Sequence, residues 1–194
     1  MKRICVFSGS KFGARPEYRQ AAVELGTAMA ARHLGLVYGG ADIGLMGAIA
    51  DAVLAAGGHV TGVIPEALVA REVAHAGLSD LRIVPTMHVR KALMADLSDA
   101  FIALPGGWGT FDELFEILTW SQLGLHRKPV GILNVHGYFD PFMALIQHSI
   151  EEGFVSPASG QFITVAAAAA PLLDQLARQA LPAPSDAPIG REVI

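Results

Sequence analysis

Cysteine is nearly absent from this chain: Cys5 stands alone among 194 residues, so neither an intrachain disulfide nor a cysteine-rich zinc site can form. Charge is also scarce, at 16% of residues, and the acids outnumber the bases 18 to 14 for a net charge of -4 and a pI near 5.9. That balance argues against a surface built to grip a nucleic-acid backbone. Any anion bound here must be held by local geometry. Long apolar runs are missing too. The longest stretch without Asp, Glu, Lys or Arg, residues 153–173, carries Pro157 and Pro171 and no continuous apolar span of about 20 residues, so no membrane-spanning helix is expected. The start Met1-Lys2-Arg3 is followed by only four apolar residues before Ser8-Gly9-Ser10, too short for the core of a secretion signal. A cytoplasmic location without membrane or nucleic-acid partners is the expectation. The seven histidines show no H-E-x-x-H or other ligand spacing, so no metal site is expected.

Apolar residues, by contrast, make up 52% of the chain, with a mean hydropathy of +0.43, enough for one large core. Short apolar runs bounded by turn residues predict strands at 4–7, 36–38, 59–64, 82–84, 100–104, 130–135 and 162–165. Between them, three- and four-residue apolar spacing predicts helices at 16–32, 44–56, 88–97, 110–123, 141–151 and 172–180, with a short helix and a loop within 66–81. Strands alternating with helices imply an α/β fold: an open parallel sheet with helices on both faces, joined by right-handed crossovers. One domain over residues 1–180 is expected, followed by a loose tail at 181–194 with three prolines in its first half.

Glycine is in excess, with 21 residues against about 14 for ordinary usage. Ligands of open parallel sheets bind outside the carboxyl ends of the strands, and three glycine clusters fall there: Gly9 beside Ser10, Gly39-Gly40, and the run Pro105-Gly106-Gly107-Trp108-Gly109-Thr110 that opens a helix. Glycines let backbone N–H groups approach an anion, and a helix N-terminus adds unpaired donors and its dipole. A phosphate suits such a site. Tight turns alone would explain any one cluster, though three on one edge much less readily. The chain has no G-x-G-x-x-G and no glycine loop ending in Gly-Lys-Ser/Thr, so ordinary dinucleotide and triphosphate binding loses support.

The helix at 88–97 starts near the carboxyl end of the strand at 100–104, which places Arg90 and Lys91 beside Gly106-Gly107. Helical spacing assigns Val89, Ala92, Leu93 and Leu97 to the core and Arg90 and Lys91 to the flank, as an anion-binding or a merely solvated pair. Glu113 likewise has two readings. Thr110-Phe111-Asp112-Glu113 fits a capping box, with Glu113 reaching back to the helix start; alternatively its carboxylate stabilises an oxocarbenium-like sugar or positions a water. Asp112 and Glu116 fit dipole-complementing or solvated roles. Ser8 and Ser10 have no evident His/Asp partners for a nucleophile, and His88, at the helix start, is either near substrate or packed.

The run PGGWGTFDE at 105–113 matches PGGxGTxxE, and Met87-His88-Val89-Arg90-Lys91 matches MHxRK; on these motifs the chain resembles the LOG (Lonely Guy) family of cytokinin riboside 5'-monophosphate phosphoribohydrolases, older naming for which is lysine decarboxylase. Val37-Tyr38-Gly39-Gly40, Gly44-Leu45-Met46-Gly47 and Thr119 to Gly124 support the match, which spans about residues 3–155. The resemblance implies a Rossmann-like fold, a homodimer, no cofactor, and hydrolysis of the N-glycosidic bond of an N6-substituted AMP to free base and ribose 5-phosphate. By motif, Arg90 and Glu113 would be catalytic. Lys91 and Gly107 to Thr110 would hold phosphate and ribose, with Gly9, Ser10, Gly40 and Gly106 at the same edge, and Glu72 would contribute to substrate binding. Ser8, Lys11, Ala41 and Asp112 depart from the usual family residues and bear on substrate preference more than on reaction type. Two other functions stay open: a non-catalytic nucleotide sensor or carrier on the same fold, and pyridoxal-dependent lysine decarboxylation, for which Lys91 is the candidate among four lysines, although its surroundings do not otherwise resemble a pyridoxal site.

Overall fold

A computed structural model describes residues 1–69 and 74–179. Glu72 and the expected tail at 181–194 lie outside the described residues. Seven strands form one sheet in the order β4-β3-β2-β1-β5-β6-β7, and every pairing is parallel. The strands are β1 (Arg3–Phe7), β2 (Gly35–Tyr38), β3 (Val60–Pro65), β4 (Asp80–Val84), β5 (Ala100–Ala103), β6 (Val130–Leu133) and β7 (Ile163–Ala166). Between and after them run α1 (Pro16–Ala31), α2 (Gly44–Ala55), α3 (Glu66–Val69), α4 (Met87–Asp96), α5 (Trp108–Gln122), α6 (Asp140–Glu151), α7 (Pro157–Gly160) and α8 (Ala169–Arg178).

Successive side chains of a strand point to opposite faces, and here the two faces build separate cores. Ile4, Val6, Leu36, Tyr38, Ala100 and Ile102 pack with α1, α2 and α8. Their neighbours Cys5, Phe7, Val37, Phe101 and Ala103 pack with Met94 and Ala95 of α4, Leu114 and Ile117 of α5, and Phe142 of α6. The central strands therefore read as unbroken apolar runs because both of their faces are covered. Among the described residues no helix is long and apolar enough to cross a membrane.

Strand order fixes where a ligand can go. From β1 the chain winds outward through β2, β3 and β4; it then returns to place β5 on the other side of β1 and continues to β6 and β7. The direction of winding reverses between β1 and β5, so their loops diverge and open a crevice at the carboxyl edge.

Two helix starts differ from expectation. The helix expected at 110 begins at Trp108 with Gly107 as its N-cap and no side-chain cap, so Thr110 lies inside the first turn and the capping box does not form. Glycine lets the chain enter the helix two residues early, and Thr110 is buried rather than solvent-facing. In α4 the expected core face is rotated: Val89 is exposed, whereas Arg90, Met94 and Ala95 are buried. Thr86 sets that phase by capping the helix, accepting a hydrogen bond from the Val89 amide at 3.2 Å.

Candidate active site

The β1 and β5 loops meet backbone to backbone. The Gly9 N–H donates to the Pro105 carbonyl at 3.0 Å, and the Gly9 carbonyl accepts from the Leu45 N–H of α2 at 2.9 Å. A side chain at Gly9 would lie 3.1 Å from the Gly106 Cα, and one at Gly106 would overlap Thr110 Oγ1 and come within 2.9 Å of the Gly9 nitrogen. Close approach of the two loops is what these glycines permit. The Tyr138 hydroxyl, beyond β6, donates to the Gly106 carbonyl and braces the loop from the other side.

Above this junction lies a cavity of about 420 Å³, lined by Gly9, Ser10, Gly106 and Gly107 together with Lys11, Phe12, Tyr18, Trp108 and Tyr138 among others. The N-terminus of α5 opens at its edge, where Gly107 and Gly109 have no heavy atom within 4 Å of where a side chain would begin. An acidic chain thus presents unencumbered backbone donors, a helix dipole and the Lys11 ammonium to one space, the arrangement an anion requires. Lys11, Tyr18 and Tyr138 escaped the glycine-based reading. Tyr138 follows the carboxyl end of β6, so the edge rule applied to the glycines was the signal available for it.

Arg90 is placed differently from its expected flank. Only 5% exposed, it reaches under the β2 loop, where Nη2 donates to the Gly39 carbonyl at 3.2 Å and Nη1 lies 3.7 Å from Met87 Sδ. A side chain at Gly39 would overlap Nη2, so the guanidinium can hold this position only beneath a glycine. Nε is buried without a hydrogen-bond partner. A buried guanidinium with an unused donor is costly unless something else completes it. Glu113, about one turn into α5, is 9% exposed. Both charges reach the same buried atom: burial pushes the Cys5 thiol well above its ordinary value, the Glu113 charge raises it further, and the Arg90 charge opposes this.

Lys91 turns the other way, toward α5. Its ammonium lies 2.9 Å from Glu116 Oε1 and 3.1 Å from Asp112 Oδ2. Burial alone would lower the Lys91 pKa, but hydrogen bonds and charge from Glu116 and Asp112 outweigh it and leave the pKa raised. Asp112 and Glu116 are therefore partners of Lys91. Gly40 turns the chain after β2 with φ +77°, Thr110 is buried beneath Gly106, and neither lines the cavity. His88 is exposed at the start of α4.

The family described as "Possible lysine decarboxylase" matches residues 46–176. Over 175 residues the chain is 51% identical to cytokinin riboside 5'-monophosphate phosphoribohydrolase LOG1 of Arabidopsis thaliana, covering 90% of this chain and 82% of that protein. It is 50% identical to LOG7 of the same plant, with 90% and 81% covered. Among solved structures, the molybdenum cofactor carrier protein of Chlamydomonas reinhardtii superposes with a TM-score of 0.69 at 23% identity, covering 92% of this chain and 99% of that one. A molybdenum cofactor binding protein from Rippkaea orientalis gives 0.68 at 19%, covering 92% and 97%. At those identities the structural likeness speaks for the fold alone, whereas half of all positions are shared with the plant enzymes over most of both lengths. The chain belongs to the LOG family of cytokinin riboside 5'-monophosphate phosphoribohydrolases.

Proposed function

We propose that this chain hydrolyses the N-glycosidic bond of AMP or an N6-substituted AMP, water and nucleotide giving free base and ribose 5-phosphate. The observation that carries the reading is the buried Arg90, with Nε unpartnered, and the buried Glu113, both within electrostatic reach of Cys5 on β1, in a chain whose β1 and β5 loops form a glycine-lined anion cradle. In this reading the 5'-phosphate rests on the backbone donors of Gly106, Gly107, Gly109 and Thr110, with Gly9, Ser10 and Lys11 opposite. As the bond to the base lengthens, positive charge grows on the ribose, and the Glu113 carboxylate stabilises it or directs the attacking water. Arg90, permanently charged, orients the nucleotide and stabilises electron density on the departing base. Lys91 contributes by fixing α4 against α5, and Gly40 by shaping the loop over Arg90.

Lysine decarboxylation through a pyridoxal Schiff base fits Lys91 poorly. A Schiff base needs a neutral amine, and two carboxylates hold this one as ammonium. We place the protein in the cytoplasm as a homodimer; Met87 and Val89 on α4, Phe115 on α5 and the 91% exposed Trp108 offer apolar surface for a second copy. Sedimentation at micromolar concentration tests the assembly.

Chromatography of products from AMP and N6-isopentenyl-AMP, compared by kcat/KM, tests the reaction. Base release is expected, with a loss of at least a hundredfold in Glu113→Gln; near-normal release by a folded Glu113→Gln sinks the role given to Glu113. Tight AMP binding without release would mean a carrier.

A further inference from the structure

A second group of polar residues sits behind the β2 loop. His75, 8% exposed, brings its Nε2 to 3.0 Å from Asp51 Oδ1 on α2 and 3.9 Å from Asp42 Oδ1. The ligand-capable atoms of the three residues lie within 4.8 Å of one another. The ring's other nitrogen decides what this cluster is. The Gly77 backbone N–H donates to Nδ1 at 3.1 Å, and an amide can only donate, so Nε2 carries the ring hydrogen and gives it to Asp51. With its Nε2 lone pair committed to that hydrogen, His75 serves the carboxylates as a donor and is poorly suited to hold a cation.

The backbone of the same residue reaches the active site. The His75 N–H donates to the Gly40 carbonyl at 3.0 Å, and Ala74 bridges Ala41. The preceding carbonyl, Gly39, is the acceptor of Arg90 Nη2. Two successive carbonyls of one turn are therefore held, one by the His75 amide and one by Arg90. The Gly39-Gly40 turn has little stiffness of its own: neither residue has a side chain, and Gly40 sits at φ +77°. Its orientation must come from what it is tied to.

We propose that the Asp51–His75 pair is a positioning device for the hydrolase: anchored on α2, it fixes the Gly39-Gly40 turn, and the turn aims the Arg90 guanidinium. The inference rests on the catalytic reading of Arg90. Displacing a catalytic group by about 1 Å can cost on the order of a hundredfold in rate, whereas the phosphate cradle sits on the β1 and β5 loops and meets α2 through the Leu45 amide rather than through Asp51 or His75.

Two substitutions separate the ring's functions. His75→Asn retains an acceptor for the Gly77 N–H but is too short to reach Asp51; His75→Gln restores a donor at the Nε2 position. With AMP as substrate, His75→Asn is expected to lower kcat roughly 10- to 100-fold with KM changed less than about threefold, and His75→Gln to recover most of the loss. The decisive measurement is a double-mutant cycle with Arg90→Lys, followed by base release and by thermal unfolding. If His75 acts through Arg90, His75→Asn costs less than about twofold more in kcat when Arg90 is already changed. An equal loss in both backgrounds, or a lowered Tm with kcat intact, overturns the positioning role. Full activity in Arg90→Lys and Arg90→Ala overturns the reading of Arg90 and this inference with it, while full activity in His75→Asn beside an impaired Arg90→Ala overturns this inference alone.

Discussion

Gly109→Ala separates stability from function at the anion cradle. Gly109 is the second residue of α5, and a side chain there meets nothing within 4 Å. Alanine is the better helix former by about 0.5–1 kcal/mol, and in a chain of this size that corresponds to a Tm gain of roughly 1–4 °C. A Cα–Cβ bond tilts toward the helix N-terminus, so the new methyl group projects toward the space assigned to the phosphate. Displacing one charge-assisted hydrogen bond costs about 1.5–3 kcal/mol, which is roughly 10- to 150-fold in kcat/KM. Gly106→Ala is the contrasting variant: its methyl group would overlap Thr110 Oγ1 and crowd the Gly9 nitrogen at 2.9 Å, so it should lose about 1–3 kcal/mol of stability along with activity. Thermal denaturation and base release from AMP, measured on both variants, are sufficient. A stabilised Gly109→Ala with unchanged kcat/KM would refute the placement of phosphate at the α5 N-terminus.

Lys91→Met removes the clamp between α4 and α5 and is expected to cost about 1 kcal/mol with KM for AMP changed less than about threefold; a tenfold rise in KM would instead give the ammonium to the phosphate. Because the Lys91 pKa is raised in the folded chain, its contribution is complete below the unfolded value near 10.4 and fades as pH rises through the folded one, so the Tm gap between wild type and variant should narrow in strongly alkaline buffer. Asp99 behaves in the opposite sense. Burial would raise its pKa, but hydrogen bonds from the Lys2 and Arg3 amides at 2.5 and 3.0 Å outweigh this and lower it. Its contribution is therefore present above about pH 4 and lost as pH falls through the depressed value, and the stability gap between wild type and Asp99→Asn should close in acid. Cys5, fully buried with its thiol pushed up, should react with a thiol reagent at pH 8 only as fast as the chain unfolds; rapid labelling of the native protein would contradict that burial.

The sheet was legible because its signal is local. Ile4 to Phe7 and Ala100 to Ala103 are apolar at every position and lead within two or three residues to Gly9 and Gly106, and a strand covered on both faces can hardly read otherwise. The glycine clusters were legible for a related reason, since the parallel arrangement sends each loop that follows a strand to the same edge. What could not be read were the phases of the two helices that carry the charged residues. Val89 and Leu93 make as good an apolar stripe as Met94 and Ala95, and only Thr86 at the cap and the space beneath Gly39 decide that Arg90 turns inward.

Glu113 shows how such a phase error changes chemistry. If Thr110 were the cap, Glu113 would sit at the helix surface with a local structural reason to be there. Starting α5 at Trp108 moves both residues inward by two positions: Thr110 packs under Gly106, and Glu113 is carried to within electrostatic reach of Cys5 on the central strand. A carboxylate taken out of water is unfavourable for folding and needs compensation. Burial of Arg90 on the same face of the sheet supplies opposite charge, and the Arg90 Nε that remains unpartnered marks where that compensation is incomplete. Removing one charge should then be worse for folding than removing both. Glu113→Gln and Arg90→Met are each expected to lower Tm, and the double variant to lose less than the sum of the two single losses. Strict additivity of the two Tm losses would mean that the charges do not interact, and that Glu113 is buried for a reason other than its partnership with Arg90.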